Sequence, residues 1–405
     1  MRKKVTMEEF VSKWGLTKFH NVEKNLNSKY NFRRNIVNGR VEFKLIAEDE
    51  NHFSELTDTV FNTLYCQIEK ANIKFNLSNF NAILNSDFAE PYDPFQSYFE
   101  SLSWDGQTDY ITQLAETIDC TNNPLWKGYF KRWLVAVVAC AAESIPNHTV
   151  LVLSGKQGVG KSTWLNKLLP NALKQYIYSG TLDPSSKDSL IHLGETMFIN
   201  MDELDNLNKA EQGDLKSLIS KDKIRVRRPY GRHSENINRR ASFMGSINDL
   251  EFLTDTTGNR RFLCFTAIKI DFNHKIEMDL VYAQAYSLFK NGENGNPFKY
   301  YFDKDDMNEI EENNSNYKRI SIEEDLINKY FTVPIDNANK LYLTPTDIIF
   351  QLVKFEKMQS SHQINFKKLG QVMHMLGFEK KSTKTSKPYA VVYSELATSK
   401  LHLLP

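Results

Sequence analysis

The stretch Ser154-Gly155-Lys156-Gln157-Gly158-Val159-Gly160-Lys161-Ser162-Thr163 fits the pattern GxxxxGK[ST] without a mismatch. Glycines at this spacing let the backbone turn so that successive N–H groups face the β- and γ-phosphates of a nucleotide. Lys161 adds a point charge, and the Ser162 hydroxyl can ligate Mg²⁺. The nucleotide-contacting set is Gly155, Gln157, Gly158, Val159, Gly160, Lys161, Ser162 and Thr163. The alternative, a glycine-rich turn with an incidental lysine, is disfavoured by context: an apolar run from Thr149 to Leu153 precedes the loop and the helical pattern KSTWLNKLL follows it.

A phosphate loop leaves the reaction open, so the rest of the site must be sought downstream. The segment MFINMDELD ends an apolar strand with Asp202 and Glu203. Asp202 suits the Mg²⁺ shell, and Glu203 suits polarising an attacking water. A helix cap is the competing role for such a pair. The strand ASFMGSIN ends in Asn248, whose amide could orient that water, although Asn is also a common turn residue. Arg260 and Arg261 in GNRRFLCF precede another apolar strand. Two adjacent guanidinium groups invite an anionic partner. In a ring-shaped ATPase that partner is the neighbouring subunit's γ-phosphate; otherwise it is a surface carboxylate such as Asp255 or Glu251.

Between Glu203 and Asn248 lies KDKIRVRRPYGRHSENINRR. Strand alternation sets Arg225 and Arg227 on one face and Ile224 and Val226 on the other. Lys221, Lys223, Arg225, Arg227, Arg228, Tyr230, Arg232 and His233 together suit tracking a phosphodiester backbone, with Tyr230 able to stack on a base. Charge runs are usually solvated faces, but this one interrupts the presumptive catalytic core. The tail is also rich in lysine, from Lys354 to Lys387.

These residues need elements to hold them. At 405 residues the chain has room for several cores, and 41% hydrophobic with 25% charged residues is ordinary for a globular protein. The net charge of +1 excludes no class of partner, because local patches cancel in the sum. The four cysteines have no metal-like spacing, which predicts reduced thiols in a cytoplasmic protein. The longest apolar run, Trp133 to Ala142, is about half the ~20 residues that span a bilayer, so a buried helix from Leu125 to Ala142 is expected and no membrane partner. Asn38-Gly39 signals a type I′ hairpin. From about Asn147 to Lys269 strands alternate with helices, which predicts a parallel sheet with crossover helices. Helices over Thr346 to Met358 and Asn365 to Leu376, followed by a lysine-rich hairpin, form a winged-helix pattern.

From Pro94 to Phe265 the blocks PFQSYFESLSWDGQTDYI, LSGKQGVGKSTWL, LDPSSKDSLIHLGETMFINMDELD, LKSLISKDKIRVRRPYGR and TDTTGNRRF follow in order. In this succession the chain resembles the virulence-associated E family of phage and mobile-element proteins, related to superfamily three helicases within the AAA+ class. The resemblance implies an α/β fold: an AAA+ P-loop core with a parallel sheet, a helical N-terminal region and a small C-terminal winged-helix-like domain. It implies an ATP- and Mg²⁺-dependent DNA helicase or translocase, hexameric, acting in replication of the element. Lys161 and Ser162 would bind phosphate and Mg²⁺, Asp202 and Glu203 form the acidic pair, Asn248 the sensor, Arg260 or Arg261 the finger, and residues 221–233 the DNA hairpin. Asn200 departs from the usual apolar strand, and residues 1–90 carry no primase signature, so a separate primase or initiator is the expected partner. The rival readings are a DNA-binding ATPase switch that unwinds nothing and a host-interference ATPase acting on a protein target. Expected boundaries are 1–90 (α+β accessory), 91–146 (helical collar), 147–290 (ATPase core), 291–340 (helical linker) and 341–405 (winged-helix-like).

Overall fold

The computed structural model describes residues 17–47, 53–183, 186–228, 233–248, 252–253, 259–335, 340–358, 363–381 and 386–403. The chain divides into two compact units, residues 1–316 and 317–405.

The first unit begins with α1 (Lys18–Asn27), β1 (Tyr30–Asn35), β2 (Val41–Leu45), β3 (Ser54–Glu55), α2 (Asp58–Lys70), α3 (Leu77–Leu84) and β4 (Glu90–Tyr92). These strands form a sheet in the order β3-β2-β1-β4, with the helices beside it, so this region is α+β. Val22, Leu26, Leu64, Ile68, Phe80 and Leu84 fill its own core. The expected hairpin is present, but its turn is longer than a type I′ pair: Gly39 N–H donates to Asn35 O, and of the two central residues only Gly39 has positive φ. A four-residue loop relaxes the demand for a left-handed Asn38.

Next come α4 (Pro94–Glu100), α5 (Tyr110–Ala115), β5 (Ile118–Cys120) and α6 (Asn123–Glu143). Asn122 caps α6, with Pro124 in its first turn. From Trp133 to Ala141 every side chain is buried, which explains why this half of the helix lacks a polar face: it lies inside the core rather than on it. No helix among the described residues is long and apolar enough to cross a membrane.

The main sheet joins β6 (Val150–Ser154), β7 (Ile177–Ser179), β8 (Phe198–Met201), β11 (Ser242–Ile247) and β12 (Phe262–Ile270) in the order β5-β12-β6-β11-β8-β7. All neighbours are parallel except β5 on β12. The buried apolar runs VLVLS, FINM and SFMGSI are what a sheet covered on both faces requires. The crossovers carry α7 (Lys161–Lys167), α8 (Lys187–Glu195) and α9 (Lys209–Ile219); β9 (Lys223–Val226) and β10 (Glu235–Asn238) form a separate hairpin. After β12, α10 (Met278–Asn291) packs on α6, and α11 (Lys304–Asn314) lies against β12. Both guanidinium N–H₂ groups of Arg132 hold the Asp306 carboxylate at 2.8 Å. Asn314 Nδ2 donates to Asn259 O and Phe262 O.

The second unit contains α12 (Ile322–Tyr330), β13 (Phe331–Thr332), β14 (Leu341–Leu343), α13 (Pro345–Glu356), α14 (Phe366–Met375), β15 (Tyr389–Tyr393) and α15 (Glu395–Leu403), with strands ordered β13-β15-β14. The two helices expected in the tail are present to within two residues at each end. Leu326, Ile327 and Tyr330 of α12 share a core with Leu352, Leu369 and Met373. The expected 291–340 linker is therefore divided: α11 belongs to the first unit and α12 to the second, because each buries its apolar side in a different core.

Candidate functional site

The phosphate loop leaves β6 at the carboxyl edge of the sheet and enters α7. Gly160 has φ +97°, and a Cβ there would overlap the Phe272 ring. A Cβ on Gly155 would lie 2.7 Å from Ala267 O. Gly155 admits the close approach of a neighbouring backbone and Gly160 that of an aromatic ring, and the first N–H groups of α7 have no helical acceptor. Lys161 is 5% exposed. Its Nζ donates to Gly155 O (2.6 Å), Lys156 O (3.0 Å) and Asn248 Oδ1 (3.1 Å). Burial pushes its pKa down, against the pull of Asp205 and Asp202. A largely buried ammonium that hydrogen-bonds to these carbonyl oxygens is a charge suited to an incoming anion.

Ser162 Oγ donates to Asp202 Oδ1 at 2.7 Å, and Ser246 Oγ donates to the same oxygen at 3.0 Å. One hydroxyl and one carboxylate at this separation fit Mg²⁺, which takes few protein ligands and completes its shell with water and phosphate. Glu203 follows with φ +57°, left-handed for a residue with a side chain, and its Oε2 accepts from Asn206 Nδ2 at 2.9 Å. Such strain is typical of functional positions. Gln157, Gly158, Gly160, Lys161, Ser162, Thr163, Asp202, Glu203, Ser246, Asn248 and Phe272 line one cavity of about 340 Å³. The sheet thus unites the loop, the acidic pair and Asn248 from β6, β8 and β11. Asn200, polar within β8, is fully buried and donates to Asn166 Oδ1 at 2.9 Å, tying the strand to α7.

Arg260 and Arg261 lie apart from this cavity. They form a 3₁₀ turn before β12, whose Phe262 pairs with Val150 and Thr266 with Ser154. Roughly 13 Å of strand therefore separates them from the carboxyl edge. Arg261 Nε donates to Ser220 Oγ at 3.2 Å, and both arginines line a cavity of about 620 Å³ with His148 and Tyr301. Asp255 and Glu251, their alternative partners, lie outside the described residues.

The hairpin has the expected facing. Ile224 and Val226 are buried, whereas Lys223, Arg225, Arg227 and His233 are exposed and Lys221 is half-buried. Arg225 stands opposite Asn236 and Lys223 opposite Asn238, so that surface holds no carboxylate at those pairs. Tyr230 and Arg232 fall outside the described residues. Arg228 requires a correction. It is bound to Glu195, to Glu235 at 2.7 Å and to Val37 O at 3.0 Å. It lies two residues past β9 and ties the loop end of the hairpin to the N-terminal region, so its guanidinium is already engaged rather than free for DNA.

The Trp-Asp-Gly segment is a self-contained turn. Asp105 accepts from Gln107 N, Thr108 N, Thr108 Oγ1 and Tyr110 O–H, which holds its carboxyl down at about 2. Its chemistry is spent on local architecture. Ser246 and Phe272 are cavity residues that sequence reasoning missed. Ser246 carried a signal as the polar break two residues before Asn248; Phe272 carried none.

The family model for the virulence-associated protein E-like domain matches residues 99–319. No curated protein matches the chain. Among solved structures, an apo form of the NrS-1 C-terminal region is similar at 13% identity and a TM-score of 0.46, covering 92% of this chain and 99% of that one. A second apo structure, of NrS-1 residues 305–718, has 12% identity, a TM-score of 0.49 and coverage of 93% and 99%. With more than half of its length matched, the chain belongs to the virulence-associated protein E-like domain family.

Proposed function

We propose that this protein is an AAA+-type P-loop ATPase that acts on DNA as a helicase or translocase in replication of a phage or mobile element. The observation that carries this reading is the convergence of Lys161, Ser162, Asp202 and Asn248 on one cavity from three parallel strands. Lys161 binds the phosphate chain as it exchanges carbonyl partners for phosphate oxygens. Ser162 and Asp202 would hold Mg²⁺, which would supply charge neutralisation at the phosphates. Glu203 takes a proton from the attacking water, and Asn248 orients that water.

Arg260 or Arg261, on the opposite sheet edge from its own phosphate loop, serves a neighbouring copy's nucleotide. That arrangement calls for head-to-tail contacts that close into a ring, for which we take a hexamer. Lys223, Arg225 and Arg227 track the DNA backbone, the second unit is a winged-helix-like module, and a separate primase or initiator supplies priming. The test is displacement of a labelled strand from forked DNA with ATP and Mg²⁺, with Lys161→Ala as control. Displacement by the wild type alone is expected. DNA-stimulated hydrolysis with no displacement from either fork polarity would replace the helicase by a DNA-bound ATPase switch.

A further inference from the structure

The geometry points to Phe272 as a stacking platform for the nucleobase, making the ligand a nucleoside triphosphate recognised at both ends; this rests on the nucleotide reading above. The strand order gives the cavity a polarity. On one side of the phosphate loop, β11 and β8 bring Asn248, Ser246 and Asp202, so the metal-bound, terminal phosphates face that way. On the other side lies β12, and Phe272 sits two residues past its end. A phosphate chain lying along the loop must therefore direct its sugar and base toward Phe272.

The ring is half-buried, lies against Gly160 and belongs, with Val159, to the apolar margin of the core. It is the one aromatic side chain among the described residues lining the phosphate cavity. Two contacts fix the turn that carries it, and a third fixes the residue that one of them rests on. Lys167 Nζ donates to Phe272 O, Asp271 N donates to Thr117 O at 2.8 Å, and Trp164 Nε1 donates to Thr117 Oγ1 at 2.7 Å. With the backbone of the turn fixed and the ring resting against Gly160, the side chain has less freedom to lose on binding, which favours stacking. An aromatic face accepts any base, and the larger purines most strongly, so the platform selects for ATP and GTP together over a bare phosphate chain.

The test compares binding of ATP, GTP and inorganic tripolyphosphate, each with Mg²⁺, to the full chain by calorimetry. Phe272→Leu keeps an apolar side chain against Gly160 but removes the aromatic face, and Phe272→Trp restores one. The leucine variant is expected to bind ATP and GTP on the order of tenfold more weakly with tripolyphosphate unchanged, and the tryptophan variant to recover ATP binding. Equal weakening of all three ligands would reduce Phe272 to a support for the loop and overturn the proposal, as would unchanged ATP binding. Wild-type protein that binds neither ATP nor tripolyphosphate would instead remove the nucleotide site itself, and the platform with it.

Discussion

Lys161 Nζ donates to Asn248 Oδ1 at 3.1 Å, so a single ammonium joins the loop after β6 to the residue that follows β11. With a nucleotide bound as proposed, that contact would set Asn248 beside the terminal phosphate as a neutral group. Asn248→Ala is expected to change the ATP dissociation constant by less than about threefold while lowering hydrolysis about 100-fold, the scale for removing one transition-state donor. Lys161→Ala loses both. An ATP-binding titration beside phosphate release separates them, and a wild-type rate in the Asn248 variant would exclude it from the catalytic group.

Asp202 accepts from two hydroxyls at one oxygen, whereas Glu203 accepts from Asn206 and is otherwise exposed. Their substitutions should therefore fail differently. Asp202→Asn preserves shape but not charge, and the Mg²⁺ concentration giving half-maximal hydrolysis should rise at least about tenfold. Glu203→Gln should leave that concentration and ATP binding alone and slow hydrolysis about 100-fold or more, the contribution of a general base. A Mg²⁺ titration of both variants decides between these roles.

Sequence distance separates what was readable from what was not. The phosphate loop, the acidic pair and the alternation of Arg225 with Ile224 and Val226 are local patterns, and a local pattern survives into three dimensions. Arg228 reads as one more cation of the same run, yet its fate is set by Glu195, 33 residues away, and by Val37, 191 residues away. Phe272 reaches Gly160 across more than a hundred positions because β12 is inserted beside β6, an adjacency that no spacing in the chain encodes. The helical linker failed for a related reason: α11 and α12 are similar polar helices whose assignment depends on which core receives Ile310 or Leu326.

Cys66 is exposed, whereas Cys120, Cys140 and Cys264 are buried and unpaired. Burial raises the Cys120 thiol to about 12 and moves Cys140 and Cys264 upward as well. Because thiolate is the reactive form, a maleimide or disulfide reagent at pH 8 should modify one thiol quickly and the other three only on unfolding. Mass spectrometry over time would reveal it, and Cys66→Ser should abolish the fast phase without altering hydrolysis.

The hairpin offers the sharpest contrast between neighbouring residues. Arg225 and Arg227 are exposed, so the Arg225→Ala/Arg227→Ala variant should keep its thermal stability and basal hydrolysis. Its affinity for single-stranded DNA should fall, and the slope of log affinity against log salt should shrink by about 0.7 for each lost phosphate contact. Arg228→Ala should do the reverse, costing about 2 kcal/mol of stability by stranding a carboxylate that accepts charged hydrogen bonds. Glu195 already has its pKa raised by burial, against the lowering influence of Arg228. Removing the arginine raises it further. A carboxyl whose folded pKa lies above its unfolded value binds more protons when folded, so stability is lost as pH rises through the folded value and is fully present below the unfolded one. The deficit of Arg228→Ala relative to wild type should accordingly be largest near neutral pH and shrink as pH falls toward about 4, the ordinary glutamate range. Urea titrations at pH 5 and pH 7.5 measure the two deficits; equal values would show that Glu195 is not the group left stranded.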